Sequence, residues 1–163
     1  MFLSVSRYAG VLAALRIFTG LAWLSHGLFK VTDPQWSAPN GDFVSFVGDM
    51  VQHTSGPYHD FITNFVIPHG AVFSVLVAWG ETLTGVSLVL GLFTRLGGIV
   101  GVFLPLNYWA AKNGFMQWQS IGGLDLGTAA LSIINALLPT GLVWGLDGLI
   151  AGRKKSATTG TKS

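Results

Sequence analysis

Residues 8–29 read YAGVLAALRIFTGLAWLSHGLF, an apolar run long enough to cross a hydrocarbon core of about 30 Å yet interrupted near its middle by Arg16. A second run, from Val66 to Phe93, carries Glu81 in the same way. A charge facing lipid at such depth costs roughly 3 kcal/mol or more, so both side chains are expected to face protein or trapped water. The chain reads as an integral membrane protein with a polar interior.

Composition agrees. Half of the residues (50%) are hydrophobic and 10% are charged, with a mean hydropathy of +0.57, a balance that a soluble domain of this size hides poorly. Two further stretches are apolar enough to span, which predicts an all-α membrane fold. Its single domain, 1–152, holds a bundle of four transmembrane helices at about 8–30, 66–93, 95–112 and 123–150. The segment 31–65 is too polar to span and too aromatic for a plain linker, and reads as an external amphipathic helical cap. Within it Pro34 and Pro39 break helix, Asp42 is placed to N-cap FVSFVGDMVQ, and Trp36, Tyr58 and Phe61 suit headgroup depth. The tail, 153–163, is expected to be disordered.

The pI near 9.2 does not imply a nucleic-acid partner, because the basic residues flank the spans rather than forming a patch. If four helices alternate, Arg7, Arg95, Arg153, Lys154, Lys155 and Lys162 share one side, while Lys30, Lys112, Asp33, Asp42, Asp49 and Asp60 share the other. The positive-inside rule then puts both termini in the cytoplasm of a multi-pass cell-membrane protein. Cysteine is absent, which excludes dithiol exchange and thiolate metal sites on this chain. No haem, flavin or metal motif is convincing. His26 and His69, near the outer ends of their spans, lack the buried mid-helix setting of haem ligands.

Arg16, Gly20, Trp23, Gly27 and Lys30 recur at steps of four and three, so they share one inward stripe with His26 beside it. Ser74, Ala78, Glu81 and Gly85 form the matching stripe on the second span. Depth counted from the 1.5 Å helical rise predicts a buried cluster of Arg16 and Glu81, with Asn107 and Thr140 at a similar level. Such a pair is either a structural ion pair that fixes register or a functional one. Next to a quinone, Arg16 would donate to a carbonyl and Glu81 would handle protons. Arg16, Glu81 and Asn107 are therefore the candidate catalytic residues. Trp23, His26 and Lys30 are candidate substrate-binding residues, since a cation near the outer surface attracts anions. For Lys30 the plainer alternative is snorkelling to the headgroups.

The run from Arg16 to Lys30, the Gly80 and Glu81 pair, Gly85, LVLGLFTR ending at Arg95 and GLD at 145–147 together resemble the DoxX and DoxD family of small four-helix membrane proteins. The resemblance marks Arg16, His26, Lys30, Glu81 and Arg95, and adds Arg95 to the substrate-binding candidates. It implies a DoxD-like membrane subunit of a thiosulfate:quinone oxidoreductase, or an anchor of an oxidoreductase assembly. Two classes of function stay open. One is a quinone-linked oxidoreductase subunit that acts with a cofactor-bearing protein partner and passes electrons from thiosulfate or another reduced sulfur donor to membrane quinone. The other is a non-catalytic accessory subunit of a larger membrane complex. A homo-oligomer is compatible with both, and a transporter is disfavoured because no internal repeat is evident.

Overall fold

A computed structural model of the chain describes residues 8–112 and 123–159. Among these residues there are seven α-helices and no strand. They are α1 (Ala9–Thr32), α2 (Asp42–Val51), α3 (Pro57–Phe61), α4 (Gly70–Leu90), α5 (Thr94–Ala111), α6 (Gly123–Leu137) and α7 (Leu146–Thr159). The long helices α1, α4, α5 and α6 pack in a ring. Contact is extensive between α1 and α4 and between α5 and α6, intermediate between α4 and α5, and sparse between α6 and α1. Helices α1 and α4 are long and apolar enough to cross a membrane, and α6 is a shorter apolar helix.

The ring is polar inside and apolar outside. Arg16, Ser74, Glu81, Ser132, Asn135 and Thr140 are buried, whereas Phe18, Leu76, Leu83, Leu96, Phe103 and Leu137 are exposed. The inward stripes expected on α1 and α4 are both present. Glycines make their contact close. A Cβ on Gly20 would stand 2.7 Å from the backbone nitrogen of Val89, one on Gly27 would strike the backbone of Thr82, and one on Gly85 would strike that of Leu24. Small residues let helix backbones approach in this way.

The boundaries correct several expectations. Helices α1 and α5 lie within two residues of the limits expected for the first and third spans, whereas α4 begins at Gly70, not at residue 66. Ile62–Val66 instead forms a π-helical turn that continues α3, and Pro68 separates it from α4. The span expected over 123–150 is interrupted. Helix α6 stops at Leu137, ahead of Pro139, whose ring cannot continue a helix. A 3-10 turn follows at Thr140–Leu142, then Val143 is extended and Trp144 is left-handed at φ 50°. Helix α7 runs through Thr159, so the tail is helical where disorder was expected, and 160–163 lie outside the described residues. The connection over 113–122, Arg7 and Lys162 also lie outside them.

The cap folds onto one end of the ring, α2 against α4, α5 and the π turn. Gly41, not Asp42, holds the N-cap position of α2, and Asp42 sits in its first turn. Trp36 is buried rather than interfacial. Its ring meets Phe43 edge-on at 5.6 Å and its indole N–H donates to the Ser74 carbonyl at 3.1 Å.

Replacing Gly27 with Val should force α1 and α4 apart and cost about 1–3 kcal/mol, the usual range for overpacking. Thermal unfolding in detergent reads this out, and an unchanged Tm would refute the close contact.

Candidate functional site

Arg16 and Glu81 do not meet. The glycine contacts set a ladder between antiparallel helices: Gly20 faces Val89, Leu24 faces Gly85 and Gly27 faces Thr82. Continued toward the C-terminus of α1, the ladder brings Lys30 level with Glu81. Continued toward its N-terminus, it brings Arg16 to the turn after α4, where the guanidinium lies against Gly91. Roughly 20 Å of helix separates Arg16 from Lys30 at 1.5 Å per residue, beyond any side chain's reach. Counting depth from flanking basic residues misses this, because interhelical register is set by contacts.

At one end of the bundle, Arg16 is fully buried and its guanidinium donates to the carbonyls of Thr140 at 2.8 Å, Val143 at 3.1 Å and Trp144 at 2.8 Å. These carbonyls belong to the irregular segment after α6, which has no helical ladder to serve them. Thr140 thus joins Arg16 as expected, through its backbone. Asp147 completes this end by accepting from the backbone N–H of Phe93 at 2.9 Å and of Thr94 at 3.1 Å, and from the Thr94 hydroxyl at 2.9 Å. A carboxylate here satisfies the orphan donors that begin α5. Gly141 and Gly145 pack in this turn. Arg95 is exposed beside it, far from Lys30.

At the opposite end, Glu81 is 1% exposed. Its Oε1 accepts from Lys30 Nζ at 2.5 Å and from the Tyr108 hydroxyl at 2.6 Å. The ammonium also lies 4.8 Å from the Trp36 ring centroid and 5.3 Å from that of Tyr108, within cation–π range. Glu81 Oε2 is buried and has no hydrogen-bond partner among the described residues.

This cluster lines a cavity of about 650 Å³. Trp23, His26, Lys30, Trp36, Phe46 and Tyr108 are among its walls. Its rim includes exposed Phe18 of α1 and exposed Leu124 and Gly127 of α6, so it opens on the side where α1 and α6 barely touch. Of the expected site residues, Trp23, His26, Lys30 and Glu81 come together here. Arg16, Arg95 and Asn107 do not. The Asn107 side-chain amide donates to the Phe103 carbonyl at 2.8 Å, and the Asn107 backbone carbonyl accepts from the Tyr58 hydroxyl at 3.2 Å. Burial pushes the Tyr58 phenol above its ordinary value, so it stays a donor.

Tyr108 and Trp36 were missed from the sequence. Tyr108 had a signal. Gly97, Gly101, Pro105 and Tyr108 recur at steps of four and three, and the first three are buried, so Tyr108 shares their inward face while Asn107 is turned about 100° away. Among the described residues no group of three or more His, Asp or Glu side chains is placed to hold a metal ion.

Two outcomes are expected. Lys30→Met should destabilise by about 3–5 kcal/mol by leaving a buried carboxylate unpaired, and adding Glu81→Met should restore most of that. Chemical unfolding of the two variants tests this, and additive losses would show that the pair is not coupled. Arg16→Lys should leave at least one of the three carbonyls unserved, because a compact ammonium does not reproduce the planar fork, at a cost of about 1–3 kcal/mol. Faster hydrogen exchange over 140–147 is the readout, and wild-type protection would sink the idea.

The DoxX family model matches residues 11–114. That interval contains Lys30, Glu81 and Tyr108 but not the GLD at 145–147. No solved structure matches the chain.

Proposed function

We propose that this chain, which belongs to the DoxX family, is an integral membrane subunit of a quinone-linked oxidoreductase, with its quinone headgroup site at Lys30, Glu81 and Tyr108. The carrying observation is a cavity with an apolar rim between α1 and α6 that ends on a buried ion pair and a phenol. A quinone matches both parts, with an aromatic polar head and a chain soluble in lipid. A site of this kind is entered sideways from the bilayer, where quinone resides.

The membrane reading has α1, α4, α5 and α6 as four spans, with the cap outside and both termini in the cytoplasm. Exposed apolar side chains around a polar ring support it. Helix α6 has 15 residues, roughly 22 Å of rise against a core of about 30 Å, so the irregular segment completes that crossing. Non-helical backbone at such depth is tolerated where protein satisfies it, and Arg16 does so.

The residues fit the group. Lys30 has an ammonium with hydrogens to offer a carbonyl, Glu81 has an unpartnered oxygen, and Trp23, Trp36 and Phe46 supply ring faces and edges. Bound here, a quinone supplies a couple that takes up two electrons and two protons. Lys30 would orient the head, and Glu81 with Tyr108 would hold protons beside it. Electrons come from a partner subunit oxidising thiosulfate or another reduced sulfur donor.

The test is to purify the protein in mild detergent and identify bound quinone by mass spectrometry, for wild type and for Gly127→Phe. A Cβ on Gly127 meets nothing within 4 Å, so this variant should fold while its ring fills the mouth. Quinone in the wild type and at least about tenfold less in the variant is expected, since a blocked site loses well over the 1.4 kcal/mol that a factor of ten represents. Wild-type protein recovered free of quinone within a large assembly would favour the accessory-subunit reading.

A further inference from the structure

The polar end of the cavity is not even-handed between hydrogen-bond donors and acceptors. Glu81 Oε1 accepts twice, from Lys30 and Tyr108, and among the described residues Oε2 accepts from nothing although it is buried. The Tyr108 hydroxyl spends its single hydrogen on Oε1. The Lys30 ammonium donates to that same oxygen, is flanked by two aromatic rings, and keeps hydrogens that a quinone carbonyl or a quinol hydroxyl oxygen can accept equally. What the site lacks is a donor for Oε2.

A carboxylate oxygen can only accept, and a buried acceptor left without a donor is costly. The oxidised and reduced forms of a quinone differ in this respect. The oxidised ring presents two carbonyl oxygens and no donor, and the reduced ring presents two hydroxyl groups. Resting on the reading that this cavity takes a quinone, we infer that it binds the reduced, hydroxyl-bearing form more tightly than the oxidised form, with Glu81 Oε2 as the hydroxyl acceptor.

Binding itself moves no electron. Conversion of the oxidised to the reduced form takes two electrons from the sulfur-oxidising partner and two protons from solvent. A site that favours the product raises the potential of the bound couple. A tenfold preference corresponds to about 30 mV for a two-electron couple. The geometry therefore makes the bound quinone a better acceptor for the partner's electrons.

The experiment uses the full chain in lipid nanodiscs under anaerobic conditions, with a short-chain benzoquinone and its dithionite-reduced form as probes. Fluorescence of Trp23 and Trp36, which line the cavity, reports binding without any turnover. The wild type should bind the reduced probe at least about tenfold more tightly, as expected for one buried acceptor gaining its donor. Glu81→Gln should reverse the preference, because its carbonyl would face Lys30 and Tyr108 and its N–H₂ would point where Oε2 now lies. Equal affinities in the wild type, or tighter binding of the oxidised probe, would overturn the inference and leave the quinone reading standing. A reduced-form preference that survives Glu81→Gln would overturn the assignment to Oε2. No saturable binding of either probe would overturn both. The wild-type comparison holds even if the variant fails to fold.

Discussion

Between α1 and α4 the backbones approach so closely that no side chain fits at Gly20, Gly27 or Gly85, and much of the molecule follows from that contact. Close approach fixes register, because a slip of one residue would drive a side chain into the facing backbone. Register then dictates which polar groups can meet. Lys30 is level with Glu81, Arg16 is level with the turn after α4, and neither pairing is open to renegotiation by flexible side chains across roughly 20 Å of helix.

Two buried charges in one helical hairpin pose the same physical problem and find opposite solutions. Glu81 is met by a cation and a phenol. Arg16 is met by three backbone carbonyls, with Asp147 nearby on the N-terminus of α5 rather than on the guanidinium. The second solution ties the irregular segment after α6 to α1 and to the turn between α4 and α5. Among the described residues Arg16 Nε and Glu81 Oε2 are both left without a partner, and the Glu81 end borders the cavity between α1 and α6.

The side on which the cavity opens also follows from packing. The α5 and α6 pair is as intimate as the α1 and α4 pair, with Gly98 and Gly101 drawn against Asn135, Ala136 and Ser132. Two tight pairs joined along α4 and α5 leave α1 and α6 to splay. Gly127, facing open space, widens that gap instead of closing a helix contact, although its spacing from Gly123 suggests a packing pair.

Sequence alone was enough to read the helical class and the inward stripes of α1 and α4. Each follows from periodicity or from the cost of a charge in an apolar run, which are local properties. The partners of Arg16 and Glu81, the displacement of Asn107 by Tyr108 and the break after Leu137 were decided by tertiary structure. Those depend on the register between helices and on whether another element can satisfy freed carbonyls. Neither quantity is written in one helix, because each is a relation between two.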